Sequence, residues 1–79
     1  MLIKVYSKPS CVQCNATYIA LKKANIPYEV IDVSQDAEAL EFIMGLGHQQ
    51  APVVYVDELT HWSGFRPDLI QKLKEQNDG

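Results

Sequence analysis

The two cysteines of this chain, Cys11 and Cys14, lie two residues apart between a predicted strand and a predicted helix. Helix positions i and i+3 are about 4.5 Å apart along the axis and about 60° apart around it, so their Cα atoms are separated by about 5 Å. A disulfide accepts this separation. The spacing therefore allows Cys11 and Cys14 to close as a disulfide or to rest as two thiols, with little backbone movement.

The position of the cysteines at a helix start should make the two sulfurs unequal. Cys11 falls where unpaired N–H groups and the helix macrodipole favour an anion, and Lys8 adds positive potential nearby. Both influences lower the pKa of a thiol from its free value of about 8.5. We therefore predict that Cys11 is the exposed nucleophile and that Cys14, one helical turn deeper, resolves the mixed disulfide.

Metal ligation and a structural disulfide are the competing roles for the cysteine pair. A structural zinc site takes four ligands, and twelve residues lie between His48 and His61, against the three to five typical of a zinc finger. We expect both histidines at the surface, with nothing to place them near Cys11. A disulfide across so short a loop removes little entropy from the unfolded chain. The spacing thus favours a redox pair, while a metal or iron–sulfur carrier that uses Cys11 across a dimer and a non-catalytic binding module stay open.

Length and charge restrict the class of protein. A chain of 79 residues predicts one domain, residues 1–79. The net charge of −3 and the lack of any basic run argue against nucleic-acid binding. No apolar stretch approaches the roughly 20 residues of a membrane span, and no export signal is recognisable at the N-terminus. We therefore expect a cytoplasmic monomer that binds neither nucleic acid nor membrane, and in that reducing compartment a cysteine pair is reactive more often than structural.

Strand and helix patterns alternate along the chain. Apolar, β-branched runs predict strands, and stretches with helical spacing of apolar residues, free of internal proline, predict helices. The predicted elements are a strand at Leu2–Tyr6, a helix from Val12 to about Asn25, a strand at Tyr28–Val33, a helix capped by Ser34 and bounded by Gly45 and Gly47, strands at Ala51–Val56 and Leu59–Trp62, and a helix from Pro67. In the first helix, Cys14, Thr17, Tyr18 and Leu21 should share one face. The order β-α-β-α-β-β-α predicts an α/β fold with three helices on a four-stranded mixed sheet, since a crossover helix pairs strands in parallel and a hairpin pairs them antiparallel.

This order, with C-x-x-C at the first strand–helix junction, resembles a single glutaredoxin-type thioredoxin-fold domain over nearly the whole chain. Two motifs, "CVQC" at Cys11–Cys14 and "WSGFRPD" at Trp62–Asp68, are similar to those of the NrdH-redoxins. Members of that family take electrons from thioredoxin reductase and pass them to class Ib ribonucleotide reductase. The resemblance implies a thiol–disulfide oxidoreductase of this kind. No cofactor is expected, because the chain has no G-x-G-x-x-G sequence for a dinucleotide.

The same resemblance implies the remaining site residues. In this fold the proline before the third strand is cis and faces the C-x-x-C, which assigns Pro52 and leaves the backbone of Ala51 free to pair with an extended substrate. From the sequence alone Pro52 would only begin a strand. Trp62 and Phe65 either complete the core or leave an exposed patch that contacts the substrate. Arg66 is expected to have a structural role.

A glutathione-dependent glutaredoxin is the alternative within the same chemistry. Glutaredoxins hold glutathione with a glycine pair and acidic residues at the position of segment 62–68. The sequence "WSGFRPD" lacks that glycine pair. The motif therefore favours thioredoxin reductase over glutathione as the electron donor.

Overall fold

Four strands and three helices follow one another as β-α-β-α-β-β-α in the computed structural model, which describes residues 2–78. Their bounds are β1 Ile3–Ser7, α1 Val12–Lys23, β2 Tyr28–Asp32, α2 Ala37–Gly45, β3 Val53–Asp57, β4 Thr60–Ser63 and α3 Pro67–Asp78. The predicted order, the three helices and the four strands are all confirmed. No helix within residues 2–78 has both the length and the apolar character needed to cross a membrane.

The sheet has the strand order β2-β1-β3-β4. The crossover through α1 makes β1 and β2 parallel, with Ile3 opposite Tyr28 and Ser7 opposite Asp32. β3 is antiparallel to both β1 and β4, and its pairing with β4 is irregular between Tyr55 and Asp57. The predicted mixed sheet is therefore confirmed, with β1 and β3 at its centre.

Alternating side chains of the central strands divide the core between the two faces of the sheet. One cluster takes Ile3 and Val5 from β1 and Val54 from β3, and packs them against α1 and α3. The other cluster takes Tyr6 and Val53 from the same strands and packs them against α2. The continuous apolar run of β3 is thus covered on both sides, as its sequence indicates.

Helix α2 begins two residues later than predicted. Asp36, not Ser34, is its N-cap, and the Asp36 carboxylate accepts a hydrogen bond from the Ala39 N–H at 3.1 Å. Ser34 instead lies in the preceding turn, where Asp32 Oδ1 accepts from its N–H and its hydroxyl at 2.9 and 2.6 Å. Because the N–H and hydroxyl of Ser34 are both bonded to Asp32, Ser34 stays in the turn. Asp36, the next acidic residue, caps the helix instead.

Helix α1 has the buried face that its spacing predicts. Cys14, Thr17 and Leu21 are buried, and Tyr18 is half-buried and stacks on Tyr28 with ring centroids 5.7 Å apart. The Thr17 hydroxyl donates a hydrogen bond to the Gln13 carbonyl at 2.8 Å, which satisfies the buried polar group. This face anchors α1 on the sheet and directs its N-terminus beyond the end of β1.

Candidate active site

Cys11 and Cys14 form a disulfide at the N-terminus of α1. Their Cα atoms are 5.2 Å apart, in agreement with the separation expected from helical spacing. The structure therefore represents the oxidised form of the pair.

Cys11 is the N-cap residue of α1. Its backbone is extended, and its sulfur accepts a hydrogen bond from the Cys14 N–H at 3.1 Å. The first turn of the helix contains no acidic residue that would oppose a negative charge on this sulfur. When the disulfide is reduced, the hydrogen bond and the helix macrodipole both favour a thiolate at Cys11.

The two sulfurs differ in their access to solvent. Cys11 is partly exposed, whereas Cys14 is only 1% exposed on the buried face of α1. An incoming disulfide can therefore approach Cys11 without any rearrangement of the helix, but not Cys14. This difference supports the predicted roles of nucleophile and resolving thiol.

A groove of about 430 Å³ runs beside Cys11, between the tip of α1 and the loop that leads to β3. The residues that line it are Lys8, Cys11, Val12, Gln13, Gln49, Gln50 and Ala51. Val12, which sequence reasoning did not single out, is 82% exposed next to the reactive sulfur. The groove thus combines a reactive sulfur, an exposed apolar side chain and a stretch of backbone.

That backbone stretch precedes Pro52. The Ala51–Pro52 peptide bond is cis, as the family resemblance implies, and Pro52 itself is buried. The backbone groups of Gln49, Gln50 and Ala51 form no hydrogen bond with another residue in the range 2–78. Ala51 lines the groove with Cys11, so its free groups are available to an extended substrate segment.

The two aromatic residues of "WSGFRPD" have different surroundings. Trp62 is 7% exposed and packs in the core cluster with Ile3 and Leu73. Phe65 is 38% exposed, and its backbone is bonded to the tip of α1. Of the two, only Phe65 presents its ring to solvent, and a substrate contact by Trp62 remains a prediction.

Arg66 has contacts that suit the expected structural role. Its guanidinium donates to both carboxylate oxygens of Asp68, at 3.2 and 2.9 Å, and its carbonyl accepts from the Leu69 and Ile70 N–H groups. The hydrogen bond from Arg66 lowers the pKa of Asp68 below its ordinary value. Arg66 thus stabilises the first turn of α3.

Gln13 is a site residue that sequence reasoning missed. Its Oε1 accepts a hydrogen bond from the Phe65 N–H at 3.1 Å. Gly64 lies directly beneath this bond with φ +83°, and a Cβ there would be 3.3 Å from Gln13 Oε1. Gln13 therefore joins the "CVQC" and "WSGFRPD" motifs through a bond between residues 52 positions apart. No local spacing in the sequence signals this contact.

The two histidines, which were expected at the surface, are partly covered and contact each other. His48 and His61 are half-buried, and a hydrogen bond of 2.7 Å joins His48 Nε2 to His61 Nδ1. Antiparallel pairing of β3 and β4 brings His61 beside the loop that carries His48. Within the described part of the chain, no group of three or more His, Cys, Asp or Glu residues is placed to hold a metal ion.

A thioredoxin-type sheet that presents one reactive sulfur at a helix tip and buries its partner defines a thiol–disulfide oxidoreductase. Residues 3–61 match the Glutaredoxin family. The chain is 42% identical over 73 residues to the glutaredoxin-like protein NrdH of Escherichia coli K12, covering 92% of this chain and 89% of the relative. It is 33% identical over 72 residues to NrdH of Lactococcus lactis IL1403, covering 91% and 99%.

A solved structure agrees with these sequence relatives. NrdH-redoxin from Escherichia coli superimposes with a TM-score of 0.86 at 41% identity, covering 92% of this chain and 95% of that one. The chain belongs to the glutaredoxin family and, within it, to the NrdH-redoxins. The predicted membership of the NrdH-redoxins is thereby confirmed.

Proposed function

We propose that this protein is a dithiol electron carrier that thioredoxin reductase reduces and that supplies electrons to class Ib ribonucleotide reductase. The observation that carries the proposal is the partly exposed sulfur of Cys11 at the N-terminus of α1, bonded to a buried Cys14. The Escherichia coli relative is described as having a thioredoxin-like activity profile. Membership of the NrdH-redoxins supports the choice of reductase and acceptor.

The transfer takes place in two displacements at sulfur. The Cys11 thiolate attacks one sulfur of the partner disulfide, forms a mixed disulfide and releases the other partner sulfur as a thiolate, which takes up a proton. Cys14 then loses its proton and attacks the Cys11 sulfur. The second partner thiolate leaves and takes up a proton, and the Cys11–Cys14 disulfide remains. Two electrons and two protons have moved to the partner.

The partner segment binds along the groove at Cys11. In this proposal the free backbone groups of Ala51, beside Pro52, pair with an extended stretch around the partner cysteine, independently of its side chains. Val12 and Phe65 provide exposed apolar surface on either side of Gln13. Trp62 packs in the core and so anchors the first residue of the "WSGFRPD" segment. The carrier acts as a monomer in the cytoplasm, where both partners are found.

Thioredoxin reductase, rather than glutathione, is the proposed reductant because segment 64–65 is already engaged within the protein. The Gly64 N–H donates to the Pro52 carbonyl at 2.8 Å, and the Phe65 N–H donates to Gln13. These donors are therefore not free for the carboxylates of glutathione. This arrangement argues against the glutathione-dependent alternative.

A coupled assay tests the proposal. NADPH oxidation is followed with thioredoxin reductase and a disulfide acceptor, first insulin and then class Ib ribonucleotide reductase, with and without this protein. We expect turnover that depends on the protein and is lost in Cys11→Ser. Cys14→Ser should retain the nucleophile but accumulate a mixed disulfide. Turnover supported by glutathione and glutathione reductase, but not by thioredoxin reductase, would overturn the choice of reductant.

A further inference from the structure

The hydrogen bond between His48 and His61 connects two distant parts of the chain. His48 follows α2, and His61 lies on β4. Their rings are nearly perpendicular, at 89°, with centroids 4.9 Å apart. Tyr55 on β3 also stacks with His61, with ring centroids 6.2 Å apart and planes 20° from parallel. The pair therefore fastens the loop after α2 to the β3–β4 hairpin.

His48 occupies the last anchored position before the groove. The Gly47 N–H donates to the Met44 carbonyl at 3.0 Å, and the His48 N–H donates to the Ile43 carbonyl at 3.1 Å. The next anchor is the Pro52 carbonyl, which accepts from Gly64. The three residues between these anchors, 49–51, line the groove beside Cys11 and form no hydrogen bond within residues 2–78. Their position thus depends on how firmly His48 is held.

An imidazole–imidazole hydrogen bond requires one ring to act as acceptor. Two protonated rings have only N–H donors to offer each other, and their like charges repel. The pKa of His48 is lowered by burial and, to a smaller extent, by the charge of His61. The other titratable groups near the pair are Tyr55 and Lys8, which lines the same cavity as His48. The single ion pair among the described residues joins Arg66 and Asp68, so neither ring is ion-paired with a carboxylate in that part of the chain.

We propose that the His48–His61 hydrogen bond positions segment 49–51 for protein disulfides, and that protonation of the pair releases this segment and weakens docking. The inference rests on the proposed function, because only a carrier of disulfide electrons has such a docking step. The folded state lowers the pKa of His48, so it favours the neutral ring. The contribution of this ring to the stability of the folded state is complete above the ordinary pKa of about 6.5 and declines as the pH falls below that value.

Three variants separate the hydrogen bond from simple packing. His48→Leu removes the hydrogen bond to His61 and fills the space with an apolar side chain. The double variant His48→Gln with His61→Asn places an amide nitrogen and an amide oxygen where Nε2 and Nδ1 lie, and neither amide titrates. Leu59→Gln is the control on the hairpin that carries His61, because Leu59 is 96% exposed and does not line the groove at Cys11.

The second-order rate constants for reduction of two disulfides are measured with pre-reduced protein at pH 7.5 and pH 5.5. The ratio is the rate constant for the first substrate divided by that for the second. One substrate is insulin, and the other is bis(2-hydroxyethyl) disulfide, which is too small to need docking on the loop. The small disulfide reports the reactivity of Cys11 at each pH, so the ratio isolates docking. No reductase is required.

We expect the wild-type ratio to fall about three- to tenfold on acidification, the size of a typical hydrogen-bond contribution. His48→Leu should have the low ratio at both pH values, the double variant the high ratio at both, and Leu59→Gln the wild-type behaviour. A wild-type ratio and pH dependence in His48→Leu would overturn the inference. If circular dichroism shows that His48→Leu does not fold, a wild-type fall in the double variant would overturn it equally. A wild-type protein that reduces neither disulfide would overturn the proposed function first, and the inference with it.

Discussion

The two segments that meet at the tip of α1 are held in opposite ways. Segment 64–65 is hydrogen-bonded to its neighbours, through Gly64 to Pro52 and through Phe65 to Gln13. Segment 49–51 lines the groove beside Cys11, but its backbone forms no hydrogen bond within residues 2–78. We refer to them as the bonded segment and the open segment.

This difference shows how one fold can select its partner. Backbone groups that are satisfied inside the protein are not available to a ligand, whereas free groups beside a reactive sulfur can pair with an extended chain. In the proposed function, the bonded segment has no free donors for glutathione, and the open segment pairs with the partner protein. The contrast supports an electron carrier that recognises the backbone of a protein partner.

Gly64→Ala should have the largest effect on the bonded segment. Gly64 has φ +83°, and a Cβ there would lie 3.3 Å from Gln13 Oε1. We expect the free energy of unfolding to fall by about 1–2 kcal/mol, because an L side chain is disfavoured in this conformation. Urea denaturation measures the change.

Gly45→Ala is the matched control for this change. Gly45 is the last residue of α2, and nothing lies within 4 Å of a Cβ built there. Alanine should stabilise the helix by about 0.5 kcal/mol. Equal effects at Gly45 and Gly64 would show that the bonded segment has no special backbone requirement.

Gln13→Ala should have an intermediate effect, because it removes the acceptor for the Phe65 N–H. The expected loss is about 0.5–1.5 kcal/mol in the free energy of unfolding, again from urea denaturation. Gln50→Ala on the open segment is its control, since Gln50 is exposed and unbonded among the described residues, and should change stability by less than about 0.5 kcal/mol. A Gln50 variant as destabilised as the Gln13 variant would remove the distinction between the two segments.

Asp68→Asn should have the smallest effect, because its ion pair with Arg66 is exposed to solvent. Arg66 lowers the pKa of Asp68, so the contribution is present above the ordinary value of about 3.8 and is lost as the pH falls through the lowered value. Wild type should therefore be slightly more stable than Asp68→Asn at pH 7, and the two should converge at strongly acidic pH. Thermal unfolding across this range measures the difference. A gap that is constant with pH would show that the ion pair does not contribute.

Local patterns explain why much of the fold could be predicted. The spacing of Cys14, Thr17 and Leu21 defines the buried face of α1, and the apolar run of β3 indicates a central strand. The predicted start of α2 was wrong because Ser34 and Asp36 are both suitable caps two residues apart, and only the turn at Asp32 decides between them. Asp32 binds Ser34 locally, which leaves the cap to Asp36.

Long-range contacts explain what could not be predicted at the site. Gln13 meets Phe65 only after the sheet has formed and Gly64 has adopted its positive φ. His48 meets His61 across 13 positions, and pairing of β3 with β4 places His61 opposite Tyr55. In both cases each residue alone carries no signal, and the contact depends on tertiary structure.

The central claim is that a helix N-terminus activates Cys11 while Cys14 stays protected. The most direct test is the pH dependence of iodoacetamide alkylation in the reduced protein, with each cysteine followed separately by peptide mass spectrometry. We predict that Cys11 is modified first, with a pKa below the ordinary thiol value of about 8.5, and that Cys14 reacts much more slowly. Alkylation of Cys14 at an equal or greater rate, or a Cys11 that titrates at or above 8.5, would contradict the account.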